Sequence, residues 1–342
     1  MSDQDRLPLA PADAAPDCPV ADKVAWMRSN LGAGDEAIET HFAWVFLAGD
    51  RAWKLRKPVR REPMDYRTLD ARRRGADAEV HLNRRLAPDV YLGIRPLTRA
   101  AGGELSIGGA GEVVDWLVEM RRLDHGRMLD EMLASGRATA RDLYRVASLL
   151  AAFYTREAAA VTDGAALEGR LRAQVAANHR VLATLDAASA SALRDAQIAF
   201  LSAHRAWLNT RASGGCIVEA HGDLRPEHIL LDDPPAVIDC LEFDRNLRTL
   251  DRAEELEFLA LECARLGHGA TGEQLARECL AILGDAVPKQ LQQFYRSHRA
   301  ATRAKLYTWR ASEPDDGSAT QWLATANDYL GLALEAASRA RG

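Results

Sequence analysis

Lysine is scarce in this 342-residue chain: Lys23, Lys54, Lys57, Lys289 and Lys305 are all there are. Arginine supplies the rest of the 44 basic side chains, and with abundant alanine this reflects genome composition more than chemistry. It also makes each lysine conspicuous. The 49 acidic residues outweigh the bases and leave a net charge of −5. Such a balance gives no general attraction to nucleic acid or anionic membrane. The five cysteines, Cys18, Cys216, Cys240, Cys263 and Cys279, are scattered and form no CxxC, which argues against a disulfide framework or a zinc site. No run of about 18 apolar residues occurs, so no membrane span is expected. Met1 to Ala10 is polar and acidic without an apolar core, so no signal peptide is expected and the expected location is the cytoplasm. There is no internal repeat. What is present suits one large or two modest globular domains, with 47% hydrophobic and 27% charged residues.

Taken in order, Pro8, Pro11, Pro16 and Pro19 punctuate a loose lead over residues 1–20. Ala21 to Leu31 reads as a short helix stopped by Gly32 and Gly34. Glu39 to Val59 reads as a hairpin turning at Gly49-Asp50, with Lys54 inside the returning strand between Trp53 and Leu55. Tyr66 to Leu86 is an arginine-rich helix with Glu79, Leu82 and Leu86 on its inward face. Three further strands follow, at Tyr91–Leu97, Leu105–Ile107 and Val113–Met120. After Leu123 the pattern turns helical: Met128–Ala134, Ala140–Arg156, Leu167–Leu185, Ser191–Arg211, Leu250–Leu266, Glu273–Leu283, Lys289–Arg310 and Thr320–Ala337. The expected organisation is an N-terminal extension over 1–35, a β-rich lobe over 36–120 and a helical lobe over 121–342.

One stretch interrupts the helices. His221-Gly222-Asp223-Leu224 is followed by a short apolar strand, a Pro-rich turn, a second apolar strand and Asp239. A tight hairpin between Asp223 and Asp239 would bring both carboxylates to one mouth. Phosphoryl transfer asks for that pair: one carboxylate to take the proton of the attacking hydroxyl, another to hold Mg²⁺ on the phosphates. The kinase loop has the form H-x-D-x-x-x-x-N with a metal-binding Asp on the following strand. Here His228 stands at the Asn position.

The order of elements and these motifs resemble the aminoglycoside phosphotransferase family and its choline-kinase and protein-kinase-like relatives, over roughly residues 36–330. The likeness is strongest to a bacterial branch marked by Glu39-Thr40-His41, Lys54 to Val59, Asn83 to Pro88 and His221 to Leu224. Some members of that branch add a P-loop kinase domain, and no GxxxxGK[ST] occurs here. The resemblance implies an α+β, two-lobed protein-kinase-like fold with ATP in the cleft. Lys54 would bind the α/β phosphates and Glu79 would pair with it. The Glu119–Arg122 stretch, through the backbone of Glu119 and Arg121, would meet adenine. Asp223 would be the base, and Asp239, with His228 and Glu242 as further candidates, would hold Mg²⁺ or Mn²⁺. No G-x-G-x-x-G precedes Lys54; the turn Ala48-Gly49-Asp50 stands there instead.

Each residue has a plainer reading. Asp223 could cap a turn. Lys54 could be a solvated edge lysine, with Lys57 as the phosphate ligand. Glu79 could pair with neighbouring arginines, and Glu242 with Arg245. His221 reads best as a structural histidine that orders its loop. The arginines of residues 67–85 read as a solvated face, not a nucleic-acid site. The acidic run Asp251 to Glu257 could line a cationic-substrate site, though acids are favourable at a helix N-terminus anyway. The expected activity is transfer of the γ-phosphoryl of ATP to a hydroxyl of a small molecule: an aminoglycoside-like compound, a sugar or an amino-alcohol. The competing expectation is a nucleotide-binding pseudokinase with a regulatory role.

Overall fold

In the computed structural model, residues 18–31, 37–61, 64–157, 159–160, 162–312 and 317–341 are described. The Pro-rich lead up to residue 17 and the stop at Gly32 and Gly34 lie outside them. The chain forms two compact units, one ending at Asp124 and one beginning at His125.

The first unit opens with helix α1 (Val20–Asn30), followed by strands β1 (Ala37–Glu39), β2 (Ala43–Ala48), β3 (Arg51–Arg56), β4 (Arg60–Arg61) and β5 (Met64–Asp65). Helix α2 (Leu69–Asn83) precedes strands β6 (Tyr91–Arg99), β7 (Leu105–Ile107) and β8 (Glu112–Arg121). Six strands make one antiparallel sheet in the order β1-β2-β3-β8-β6-β7. The alternation read at 43–56 buries Phe46 and Leu55 with Met27, Leu97, Val114 and Leu117. Lys23 is buried and donates to the Asp115 carboxylate at 2.7 Å, which also accepts from Arg72 at 2.7 Å. One of the scarce lysines is therefore structural. Helix α2 is shorter than the span expected from the sequence because Thr68 caps it, its hydroxyl accepting from the Ala71 amide at 3.1 Å.

The expected hairpin turn at Gly49-Asp50 is present, one connection after another loop. The loop that joins β1 to β2 is Thr40-His41-Phe42, whereas the turn at Gly49-Asp50 joins β2 to β3. The Asp50 carbonyl accepts from the Arg122 amide at 2.8 Å. The turn therefore lies beside the end of β8.

The second unit carries helices α3 (Leu129–Ala134), α4 (Ala140–Arg156), α5 (Gly164–Leu182), α6 (Ala187–Ala203) and α7 (Arg205–Ser213). Strands β9 (Ile217–Glu219), β10 (Ile229–Leu230) and β11 (Ala236–Val237), helix α8 (Arg245–Arg248) and strand β12 (Thr249–Asp251) follow. Helices α9 (Arg252–Arg265), α10 (Gly269–Ile282), α11 (Lys289–Ala311) and α12 (Ala319–Arg339) complete it. The single helix expected over Ser191–Arg211 is two, broken at His204. The His204 ring turns back on the Phe200 carbonyl at 3.0 Å and stacks against Phe200 and Trp207, so one side chain supplies both the cap and the corner. Leu250 and Asp251, expected at the start of a helix, instead pair with β9. That pairing anchors the strand leading into His221.

Candidate active site

The first unit positions Lys54. Its strand lies between β2 and β8, where Lys54 is registered against Val45 and Val118. Such a position leaves the ammonium little water, and it needs an anion. Glu79 supplies it at 2.7 Å, with only 1% of the Glu79 side chain exposed. Helix α2 can come this close because of Gly75: a Cβ there would lie 2.8 Å from the Tyr66 ring and 3.2 Å from the Arg56 guanidinium. Arg56 also bonds Glu79 and donates to the Gly75 carbonyl at 3.0 Å. Glu79 thus serves two cations, and its sharing with Arg56 was not legible from helical spacing. Lys57 goes elsewhere. It pairs with Glu39 and lies over the Trp44 ring at 4.8 Å.

Glu119 lies within β8, opposite Trp53 and Gly93, and its carboxylate takes Arg95 at 2.9 Å and Arg51 at 3.4 Å. The Arg121 amide donates to the Val90 carbonyl at 2.9 Å and the Arg122 amide to Asp50. Those two amides are therefore spent inside the unit and are not offered to a base.

The second unit builds the loop around Asp223. Gly222 has φ +91°, and a Cβ there would meet Leu241 at 2.9 Å and Arg248 at 3.0 Å. A glycine is required on both counts. The two amides of His221 and Gly222 point at one buried carboxylate, Glu255, at 3.2 and 2.6 Å. Tyr154 donates to the same group at 2.7 Å. Burial pushes the Glu255 carboxyl above its ordinary range, with the three donors pulling the other way. From the opposite side Arg299 donates to the Gly222 carbonyl at 2.8 Å. Glu255 and Arg299 lie 33 and 77 residues beyond Gly222, which both hold, and no local pattern marks them.

His221 is fully buried. Its Nε2 faces the Ile238 carbonyl at 2.8 Å and must donate, while Nδ1 accepts from the Asp223 amide at 3.3 Å. Burial first, then the nearby His228, hold its pKa down to about 4, so it is a neutral strut. Asp223 keeps a partly accessible carboxylate, bonded by Arg225 at 3.0 Å. Burial would raise its pKa, but Arg225, His228, Arg303 and Arg299 outweigh that and hold it below the ordinary Asp value. It is a stably ionised acceptor.

Strands β10 and β11 pair antiparallel, Ile229 against Val237 and Leu230 against Ala236. The Ile238 amide donates to His228 at 2.9 Å and the Leu241 amide to His221 at 3.1 Å. These ties bracket Asp239 and bring it to the Asp223 loop. Asp239 has φ +63°, the one non-glycine positive φ among the described residues. Such a conformation is costly and persists where its surroundings impose it, commonly at functional positions. Its carboxylate is half-exposed.

His228 lies beside Asp239, its Nε2 3.6 Å from the carboxylate. Both ring nitrogens are engaged: Nδ1 donates to the Asp223 carbonyl at 2.9 Å and Nε2 accepts from Arg225 at 2.9 Å. The ring ties the loop together and has no lone pair directed at a metal. At Glu242 the backbone carbonyl accepts from Arg248 at 3.4 Å. Arg245, considered as its partner, pairs with Glu219 instead. Among the described residues no three His, Cys, Asp or Glu side chains gather as a metal-binding group. The donors present still fit Mg²⁺ of one kind, because Mg²⁺ is commonly held by one or two carboxylates with substrate phosphates and water completing the shell. Asp239 supplies such a carboxylate.

The acidic run of α9 has no role as a free cation site. Asp251 takes both arms of Arg211 at 2.7 Å, Glu254 takes His298 at 3.1 Å, Glu255 holds the loop, and Glu257 takes Arg296 at 2.9 Å. All four are buried.

A β-sheet unit with a helix-paired strand lysine, followed by a helical unit with an Asp loop and a second Asp, defines a kinase-like α+β fold. Solved structures bear this out. The chain is similar to the GDP complex of wild-type aminoglycoside 2'-phosphotransferase-IIIa, with TM-score 0.55 and 14% identity, over 92% of this chain and 98% of that one. A point mutant of that enzyme gives TM-score 0.57 and 16% identity over 94% and 98%. The chain has the aminoglycoside phosphotransferase fold. In sequence it is 35% identical over 284 residues to an uncharacterised protein of Mycobacterium tuberculosis and, equally, to one of Mycobacterium bovis. That match covers 80% of this chain and 55% of theirs, so the chain spans about half the length of the curated relatives it matches. No protein-family model matches. Among the described residues no helix is long and apolar enough to cross a membrane.

Proposed function

We propose that the chain is a small-molecule kinase that transfers the γ-phosphoryl group of ATP to an alcohol. On this reading residues 36–120 form the nucleotide lobe and 121–342 the acceptor lobe. The observation that carries it is the state of Asp223: a carboxylate kept ionised by Arg225, Arg303 and Arg299 on a loop held by Glu255 and Arg299. Asp223 accepts the proton as the acceptor oxygen bonds to Pγ; the bond from Pγ to the β–γ bridging oxygen breaks, and ADP leaves. Lys54, aimed by Glu79, meets the α/β phosphates. Asp239 is the residue that would hold Mg²⁺, and the ion, when bound, neutralises charge on the phosphates. Most of the acceleration comes from positioning and charge neutralisation.

The second reading, a nucleotide-binding module without turnover, draws on His228, whose ring is committed to the loop where a kinase has a second metal ligand. One experiment separates the two. Purified protein is given ATP or GTP with Mg²⁺ or Mn²⁺ and a pool of hydroxyl compounds, and new phosphorylated products are sought by mass spectrometry. The GDP held by the structural neighbour makes the GTP arm necessary. A phosphorylated product supports the kinase; tight nucleotide binding without any product supports the binding module.

A further inference from the structure

The backbone at Asp239 needs more support than the β10–β11 hairpin gives. Its φ of +63° lies in the left-handed region, which a residue with a side chain keeps only where its neighbours impose it. The strand pairing ends at Val237, and the Ile238 amide is tied to His228. Beyond Asp239 the chain runs through Cys240, Leu241 and Glu242 as irregular backbone. On the side of the Asp223 loop this segment is held by the His221 carbonyl, which accepts from the Leu241 amide at 3.1 Å and from the buried Cys240 thiol at 3.2 Å.

Arg248, a buried residue of α8, holds the same segment through its carbonyls. Its Nη1 donates to the Leu241 carbonyl at 3.2 Å and to the Glu242 carbonyl at 3.4 Å. Its Nε and Nη2 both meet Glu219 Oε1 at 2.9 Å. Glu219 ends β9, the strand that leads into His221. The Arg248 carbonyl accepts from the Ala220 amide at 2.8 Å, and its Cβ lies 3.0 Å from where a Cβ on Gly222 would stand. One side chain thus bridges the strand entering the Asp223 loop and the segment leaving Asp239. Arg245 pairs with the other oxygen of Glu219 at 2.6 Å, but its side chain is mostly exposed.

We infer that Arg248 is a positioning residue for the phosphoryl transfer: by clamping residues 241–242 it keeps Asp239 in its left-handed conformation and so fixes its carboxylate beside the Asp223 loop. The inference rests on the kinase reading, in which Asp239 is the carboxylate that would hold Mg²⁺. With the Leu241 amide spent on His221 and the Leu241 and Glu242 carbonyls on Arg248, the peptide planes behind Asp239 are set from both sides. Without Arg248 the carbonyls are free to turn, and the strained φ relaxes and carries the carboxylate away. The guanidinium fork reaches a carboxylate and two carbonyls at once, whereas a lysine ammonium is a single point of donation.

The test uses the purified full chain, with Cys240 as the reporter of its own segment and the buried Cys263 and Cys279 as reporters of the rest of the unit. Wild type, Arg248→Gln, Arg248→Lys and Arg245→Gln are labelled with N-ethylmaleimide without nucleotide, and the labelled cysteines are read by peptide mass mapping. Mn²⁺ binding is titrated by electron paramagnetic resonance with a non-hydrolysable ATP analogue present. In Arg248→Gln the labelling of Cys240 is expected to rise about 10–100-fold, the worth of a hydrogen bond from a charged donor, with Cys263 and Cys279 within about threefold of wild type. The Mn²⁺ Kd of that variant is expected to rise about tenfold or more, with the Kd for the analogue alone within about threefold. Arg248→Lys is expected to recover part of both losses, and Arg245→Gln to leave both readouts near wild type. Equal acceleration of Cys240, Cys263 and Cys279 overturns the inference, since Arg248 then supports the whole unit. Unchanged labelling of Cys240 also overturns it, as does unchanged Mn²⁺ affinity once Cys240 is released. If Arg248→Gln fails to fold, Glu219→Gln, which keeps the arginine and weakens its anchor, is expected to move both readouts in the same direction, and no change in either overturns the inference. A wild type that binds no Mn²⁺ with the analogue sinks the kinase reading and this inference with it; a wild type and an Arg248→Gln variant that bind it equally sink the inference alone.

Discussion

Replacing Glu255 by Gln tests the claim that a distant buried acid holds the reacting loop. Glu255 is 1% exposed and accepts from the His221 amide, the Gly222 amide and the Tyr154 hydroxyl. Gln keeps the shape but removes the charge, and it turns one acceptor oxygen into a donor facing donors. A hydrogen bond to a charged group contributes about 1.5–3 kcal/mol, and a buried amide left unpaired costs about 1–3 kcal/mol. Together these give a destabilisation of about 2–4 kcal/mol. For a unit of this size each kcal/mol shifts Tm by about 2–4 °C, so a drop of roughly 5–15 °C is expected in a thermal melt. Released amides let the loop shift, and a displacement near 1 Å at a reacting group can cost about 100-fold in rate. Turnover should therefore fall at least about tenfold at a temperature where the variant is still folded, with nucleotide affinity nearly unchanged. A variant that melts within about 2 °C of wild type and turns over normally would refute the assignment of Glu255 as the support of the loop.

Asp223→Asn should leave nucleotide binding nearly intact and lower turnover by about 10²–10⁴-fold, and near-normal turnover would remove Asp223 from the mechanism. Lys54→Ala should weaken ATP use in both KM and kcat, whereas Lys57→Ala, on Glu39 and Trp44, should leave both within about twofold; the reverse result would exchange their roles. His228→Asn should keep Mg²⁺-dependent activity because the ring is a loop tie, and a wild type that works only with Mn²⁺ while the variant gains Mg²⁺ would make His228 a ligand. The pH dependence of stability should report His221. Its folded pKa, about 4, lies below the unfolded value near 6.5, so its contribution is fully present above about pH 6.5 and is lost as pH falls toward 4. The loss amounts to about 3 kcal/mol, checked by comparing denaturant midpoints of wild type and His221→Gln across that window, where the variant's curve should be flatter.

Local pattern carried much of this protein. The alternation at 43–48 and 51–56 placed Lys54 in a strand, and helical spacing put Glu79 on the buried face of its helix. The triplet His221-Gly222-Asp223, two short apolar strands and Asp239 marked the loop region, because a tight glycine conformation, strand pairing and turn prolines are all written within about twenty residues. The helical texture after Leu123 was plain, since periodicity of alanine and leucine needs no partner to be seen. Contacts between residues far apart in the chain were not legible. Whether Glu79 serves Lys54 alone or shares with Arg56 depends on how closely Gly75 lets α2 approach β3. Whether His228 faces a metal or the loop depends on where Asp223 and Arg225 place their acceptor and donor. The fate of the acidic run in α9 depended on Arg211, His298, Arg296 and the amides of His221 and Gly222, none of them within 20 residues of it. An acidic side chain reads the same in a sequence whether it waits for a ligand or is already bonded, and only the packed structure supplies the partner that decides.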